Sequence, residues 1–327
     1  MRNKYLVTGA SGHLGNNLVR MLIEKGERVK AMTRNTKWKK PYKGLNVEVI
    51  YGNLLLKDSL KDLMRDVKTV YNSAFPVEIG SNKNEKKVVE TAIKGTINLI
   101  DEAKKQGVKK IVHVSSIATL GNESSKENLL TEKDWNKNPI HPYVKAKVES
   151  EKIALKLGKK YNIWLVSVLP GTMVGPYCFK STPIMKILKN IVGTKIHFNV
   201  NFSFSIVSVK DVAKSIYLAE KKGVKFNRYI LTNEGVITLS EIIKKFGKGI
   251  KFEIGKTPLR LLSCLDVFRS KLLKKYPTIT PETIDNFYNK KVYCDITKAK
   301  KELNWHPKSI PYAINKAIEW FNYEGIM

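Results

Sequence analysis

No stretch of this 327-residue chain approaches the ~18 consecutive apolar residues that a spanning helix needs. Its opening, "MRNKYLVTGASG", runs straight into a strand-like segment with no signal-peptide apolar core. Cysteine is scarce: Cys178, Cys264 and Cys294 are odd in number, far apart and without metal spacing. The five histidines are scattered as well. These absences exclude a disulfide framework, and the expectations are a reducing cytoplasmic setting, no metal and no membrane partner. Arginine is scarce too, eight of the 59 basic residues, while acidic residues number only 29 and the formal charge is +30. The lysines are spread as pairs such as Lys39-Lys40, Lys86-Lys87, Lys159-Lys160 and Lys290-Lys291. Bidentate readout of bases and phosphates favours arginine in dense blocks. The charge therefore reads as compositional bias and nucleic acid is not the expected partner. A functional anionic partner is the alternative.

What is present is a globular composition, 43% hydrophobic. Short apolar strands alternate with helical patterns: "KYLVTG" (4–9), a helix 14–26, strands 28–34 and 47–52, a helix 57–66 and a strand 69–74. A long helix 83–106, a strand 109–116, a helix carrying Tyr143 and Lys147 and a strand 163–170 follow. Such alternation predicts an α/β fold, a doubly wound parallel sheet with helices on both faces. After Pro170 the rhythm breaks at "GTMVGPYCFKSTP". Helix 209–221 and strand 228–232 are expected to rejoin the sheet. The organisation expected is residues 1–170 with 206–232 as a nucleotide-binding domain. Residues 171–205 and 233–327 form a smaller substrate-binding lobe and C-terminal helices.

"TGASGHLG" (8–15) lies between the first strand and the first helix and has Gly9, Gly12 and Gly15 three apart. Small residues let the backbone approach a pyrophosphate, which the free N–H groups of the helix N-terminus attract. Gly15 permits close contact of helix on strand. Gly9, Ser11, Gly12, His13, Leu14 and Gly15 are thus cofactor-binding candidates. At the end of the second strand an acid would bind a ribose 2′-hydroxyl, whereas a base accommodates a 2′-phosphate. Thr33 stands there, Arg34 follows, and Lys37, Lys39 and Lys40 lie beyond. That favours NADP(H), with NAD(H) as the alternative. Asn53 and Leu54, ending the third strand, are placed near the adenine.

In "HPYVKAKVESEKIA" (141–154), Tyr143 and Lys147 are four apart and share a helix face. An ammonium beside a phenol stabilises the phenolate and lowers its pKa from about 10.

Together "TGASGHLG", "VSSIATLG", "YVKAK", "LPGTMVGPY", "FSIVSVKDVA" and "KKELNWHP" make the chain resemble the extended short-chain dehydrogenase/reductases almost end to end. It is most similar to the dihydroflavonol 4-reductase and 3β-hydroxysteroid dehydrogenase-like branch. The resemblance implies a Rossmann fold and a catalytic triad of Ser116, Tyr143 and Lys147, with Ser115 the lesser choice. Lys147 also binds the nicotinamide ribose in that family. Ala74, Phe75 and the stretch from Pro170 to Met173 fall beside the cofactor. A homodimer through the helices following residues 83 and 143 is implied too. Thr33, Ala92 and Leu169 depart from what sugar-nucleotide epimerases carry. The expected function is an NADPH-dependent reductase of a ketone or aldehyde. An NAD-dependent sugar-nucleotide epimerase or dehydratase, and a non-catalytic nucleotide- or RNA-binding relative, are the alternatives. Phe75, Val77, Ser116, Met173 and Tyr177 are the substrate-contact candidates, with Phe179 and Ile184 further along the same apolar wall.

Overall fold

Seven short, apolar segments pair side by side and all in parallel. In space they run Arg228–Leu231, Trp164–Pro170, Lys110–Val114, Thr69–Asn72, Lys4–Thr8, Arg28–Thr33 and Glu48–Tyr51. The computed structural model describes residues 4–75, 85–139, 141–273, 277 and 280–325. The strands are apolar on both faces because helices cover both sides. One core, with Tyr5, Val7, Leu18, Val112, Val166 and Tyr229, packs under helices His13–Glu24 and Val209–Lys222. The other, with Leu6, Leu99, Ile111, Ala154 and Leu165, packs under Glu85–Lys105 and Pro142–Lys160. The chain first winds outward through Arg28–Thr33 and Glu48–Tyr51. It then returns past Lys4–Thr8 to Thr69–Asn72, and the opposed windings open a crevice at the carboxyl ends of these two strands.

The expected helix 57–66 is not formed. Lys57–Leu60 makes a single 3₁₀ turn, and Asp62 and Asp66 then take left-handed backbone angles, φ 61° and 63°. A right-handed helix cannot pass through such residues. The alternation of charge and leucine there looks helical, but the apolar residues serve as plugs: Leu60 and Met64 are fully buried.

The strand Arg228–Leu231 closes the sheet edge beside Trp164–Pro170, and Val209–Lys222 packs on the same layer as His13–Glu24. Beyond Pro170 the described residues form three small strand pairs, and the helices Pro183–Gly193, Leu239–Phe246 and Ile310–Tyr323 build a separate core. It is centred on Met185, Leu188, Ile206, Ile242, Ile314 and Trp320. Thr172–Val174 pairs with Ile206–Ser208, and Ile196–Asn199 with Ile250–Glu253. The two C-terminal helices, Thr297–Leu303 and Ile310–Tyr323, are parted by a left-handed Asn304 (φ 58°) and by Pro307.

Candidate active site

The glycine loop fits a pyrophosphate by its shape. A Cβ on Gly15 would lie 2.2 Å from the Gly9 carbonyl oxygen, and Gly9 itself has φ +64° with Ala74 2.9 Å from where its Cβ would be. Only glycine allows this approach of helix, loop and neighbouring strand end. The helix His13–Glu24 begins without a side-chain cap and without an acid in its first turn. The N–H groups of His13, Leu14 and Gly15 therefore have no partner within the helix. The side chain of His13 is turned elsewhere: Nε2–H donates to the carbonyls of Gly175 and Pro176, both at 3.2 Å. Burial pushes its imidazole down to about 4, so it stays neutral. Together with Asn17, which donates to Pro176, His13 ties this helix to the connection after Pro170.

The other nucleotide-side candidates also reach the carboxyl edge of the sheet. Thr33 is buried, and its hydroxyl lies 3.3 Å from that of Ser11. Arg34 beside it is exposed. The Asn53 side chain accepts from Leu55 N–H within its own turn, and Leu54 is a core residue whose carbonyl accepts from Asn98. Ala74 N–H donates to the Thr8 hydroxyl, which in turn donates to Asn72.

Ser116 lies two residues beyond the strand Lys110–Val114 and caps the short turn Ile117–Thr119, its Oγ accepting from Ala118 N–H at 3.2 Å. Its neighbour Ser115 is only 3% exposed and donates its hydroxyl to Glu151 at 2.7 Å. Two adjacent serines are thereby divided: the Ser115 hydroxyl is taken up by a buried carboxylate, and Ser116 is half-buried beyond the carboxyl end of the strand.

Tyr143 and Lys147 rise from the first turns of Pro142–Lys160. The helix starts at Pro142, whose fixed φ suits a first position, and His141 caps it through Nδ1, which accepts from Tyr143 N–H at 3.2 Å. Phe75 stands between the two side chains. Its ring meets that of Tyr143 edge-on at 5.5 Å, and the Lys147 ammonium lies 4.0 Å from its centroid. Lys147 is 5% exposed and donates to the Val114 carbonyl at 3.2 Å. Burial pulls its pKa down to about 8, with Glu151 pulling the other way. Burial pushes the Tyr143 phenol up to about 12. The sequence alone suggested a lowered phenol. Here burial decides the direction, and the Lys147 ammonium has Val114 and Phe75 for partners.

Beneath this set lies a polar cluster that the sequence reading missed. Glu151 is fully buried and accepts from Ser115, Ser167 and Arg228 at 2.7–3.2 Å. Burial alone would raise its carboxyl, but Arg228 and the two hydroxyls hold it below the ordinary value. Arg228 also donates to Thr119 and to the carbonyls of Glu132 and Asp134, and lies 3.7 Å over Trp135. The signal was available: Tyr143, Lys147 and Glu151 recur every four residues on one helix face. Alongside, His113 accepts from Asn72 at 3.1 Å and is held neutral, its pKa down to about 4, by burial and by Lys147.

Of the apolar candidates, Phe75 belongs to the cluster just described. Pro170 ends its strand beside Leu231, and Met173 packs partly buried against the main core. Tyr177 packs elsewhere: its ring meets that of Trp320 at a 60° tilt with centroids 5.1 Å apart, and the Arg20 guanidinium lies 3.9 Å over it. Phe179 packs on Trp320 as well, and Ile184 is buried in the same core. Val77 lies outside the described residues. No group of three or more His, Cys, Asp or Glu able to hold a metal occurs among the described residues.

A sterol demethylase protein B from Methylococcus capsulatus is 28% identical, over 98% of this chain and 99% of its own. A dihydroflavonol 4-reductase from Callistephus chinensis is 28% identical over 73% of this chain and 71% of its own. The crystal structure of gox2253 superposes over 100% of both chains with a TM-score of 0.79 and 27% identity. Residues 5–231 match the NAD dependent epimerase/dehydratase family, in keeping with the glycine loop, the parallel sheet and the tyrosine–lysine helix, and the chain belongs to that family.

Proposed function

We propose that this protein is an NADPH-dependent reductase that converts a ketone or aldehyde to an alcohol, with Ser116, Tyr143 and Lys147 at the reacting centre. The observation that carries the reading is the division of the two serines. Glu151 takes up the Ser115 hydroxyl, while half-buried Ser116 lies two residues beyond Val114, whose carbonyl is the partner of Lys147. A reduced nicotinamide, when bound, supplies the hydride. Ser116 would orient the carbonyl and donate to its oxygen as negative charge builds there. A phenol raised to about 12 is protonated at neutral pH, which suits Tyr143 to deliver the proton. The phenolate left behind is stabilised by the nearby Lys147 cation once that ammonium is drawn from Phe75. The glycine loop and the first-turn N–H groups of His13–Glu24 would hold the pyrophosphate. Buried Thr33 with exposed Arg34 favours the 2′-phosphate form. In this reading residues 1–170 with 206–232 carry the cofactor, and 171–205 and 233–327 shape the substrate side. The reductase name of a relative points the same way, while the family also covers the epimerase or dehydratase alternative.

The experiment is a set of single substitutions assayed by NADPH oxidation against a panel of ketones and aldehydes. Tyr143→Phe is expected to keep NADPH binding and lose about 10²- to 10⁴-fold in turnover. Ser116→Ala should lose about 10²- to 10³-fold. Ser115→Ala should leave turnover within a few-fold while lowering stability by about 1–3 kcal/mol, because Glu151 loses a donor. Undiminished turnover in Tyr143→Phe overturns the assignment. Co-purified NAD that does not exchange would favour epimerase-type chemistry instead.

A further inference from the structure

The helix Lys256–Leu272 is built inside out. Leu261, Leu265, Phe268 and Leu272 are spaced 4, 3 and 4 apart, which places them in one stripe. That stripe faces solvent, its members 64%, 64%, 64% and 70% exposed. The opposite face, packed on the protein, carries Leu259 together with Ser263 and Ser270, all at least nine-tenths buried. A strand elsewhere in the same lobe, Ile196–Asn199, repeats the inversion. In Ile196–Asn199 the polar His197 and Asn199 are buried while Ile196 and Phe198 stand exposed. Its parallel register with Ile250–Glu253 sets Ile196 beside Ile250 and Phe198 beside Phe252, and those two are exposed as well. Single exposed leucines are ordinary, but a helix and a strand that each bury polar residues and present apolar ones mark an interaction surface.

The charge around the stripe selects the occupant. By helical spacing Arg260 lies on one flank and Arg269 on the other, and both are exposed. Asp285 pairs with Arg260 and Lys256, at 2.9 and 3.5 Å, and the helix itself carries one acid, Asp266, against its two arginines and two lysines. Lys244, Lys245 and Lys248 lie in the preceding segment of a chain whose net charge is +30. A second copy would bring the same positive field against this one. An anionic surface is attracted, and an apolar stripe between basic flanks is the form of a helix that lies in the membrane interface. We propose that this face of Lys256–Leu272 docks the protein on an anionic phospholipid bilayer, with Leu261, Leu265, Phe268 and Leu272 entering the interface. The packed side of the same helix is linked to the candidate active site. The helix packs on Pro281–Phe287, and the Phe287 ring lies 6.5 Å from His141, which caps the helix of Tyr143. The proposal stands on the surface alone and does not depend on the reaction assigned above.

The test is co-sedimentation of the full chain with phosphatidylcholine vesicles, with and without roughly a third phosphatidylglycerol, at near-physiological ionic strength. Wild type is expected to pellet with the anionic vesicles and to stay in solution with the neutral ones. The double variant Leu265→Ser, Phe268→Ser should bind anionic vesicles at least about tenfold more weakly, its thermal melt unchanged because neither side chain is buried. Absence of wild-type binding to anionic vesicles overturns the proposal, as does equal binding to neutral ones. Equal binding of the double variant overturns it too, since net charge alone would then account for adsorption. A wild-type dimer in sedimentation equilibrium that the double variant dissolves would assign the face to a second copy instead.

Discussion

Lys147 shows what a site costs the residue that serves it. Its ammonium is 5% exposed, with a carbonyl and an aromatic face for partners, and its pKa falls from 10.5 to about 8. Below about pH 8 the folded and unfolded chains both carry this proton, and the folded state bears the full desolvation penalty. Between about 8 and 10.5 the unfolded chain binds protons that the folded one does not. This group therefore makes stability rise with pH through that window. Lys147→Met should accordingly be more stable than wild type at pH 7, by on the order of 3 kcal/mol less the lost bond to Val114. Its urea midpoint should also lose the lysine's contribution to the slope between pH 8 and 10.5. A variant less stable than wild type at pH 7 would mean that the ammonium is a net stabilising group. Tyr143 lies under the same pressure with the opposite charge logic, since burial keeps it neutral and ready to give a proton.

At the scale of elements, the helix Pro142–Lys160 is held to the sheet by an ion pair rather than by apolar packing alone. Glu151 and Arg228 are 0% and 6% exposed and join this helix to the edge strand Arg228–Leu231. The same carboxylate takes Ser115 from the strand Lys110–Val114 and Ser167 from Trp164–Pro170. Three strands and one helix are thus fixed through a single side chain, and Tyr143, two turns up the helix, inherits that position. Arg228→Met leaves a buried carboxylate with its hydroxyl donors only. It is expected to lower unfolding free energy by about 3–5 kcal/mol in urea titration. Arg228→Met combined with Glu151→Leu should recover at least half of that loss, because no charge is then stranded. A single variant within about 1 kcal/mol of wild type would show that water replaces the guanidinium.

For the whole molecule, the sheet decides where the chemistry stands. Gly9, Thr33, Asn53, Ala74, Ser116 and Pro170 come from six strand ends, and a parallel sheet puts all six on one edge. The opposed windings open the crevice where the first and fourth of these meet. A ligand bound there touches both halves of the sheet and stabilises the folded state by mass action. At equal concentration NADPH should raise the thermal midpoint more than NADH. A ligand at a hundred times its dissociation constant contributes about 2.7 kcal/mol. An equal or larger shift with NADH would mean that Arg34 does not face the ribose.

The sequence by itself determined the winding of the sheet, the glycine loop and the shared face of Tyr143 and Lys147. Each rests on short-range rules: apolar period, turn chemistry and helical spacing. The false helix at 57–66 marks their limit, because propensity does not register that Leu60 and Met64 are wanted as plugs and that Asp62 and Asp66 turn left-handed to seat them. Only the tertiary structure showed what occupies the Ser115 hydroxyl, since its partner is a glutamate thirty-six residues away. It alone showed the Tyr143 phenol raised rather than lowered, because desolvation is set by neighbours from several strands. It alone turned the leucines of Lys256–Leu272 outward: a hydrophobic period says that a helix has an apolar face, and only packing says which way that face looks.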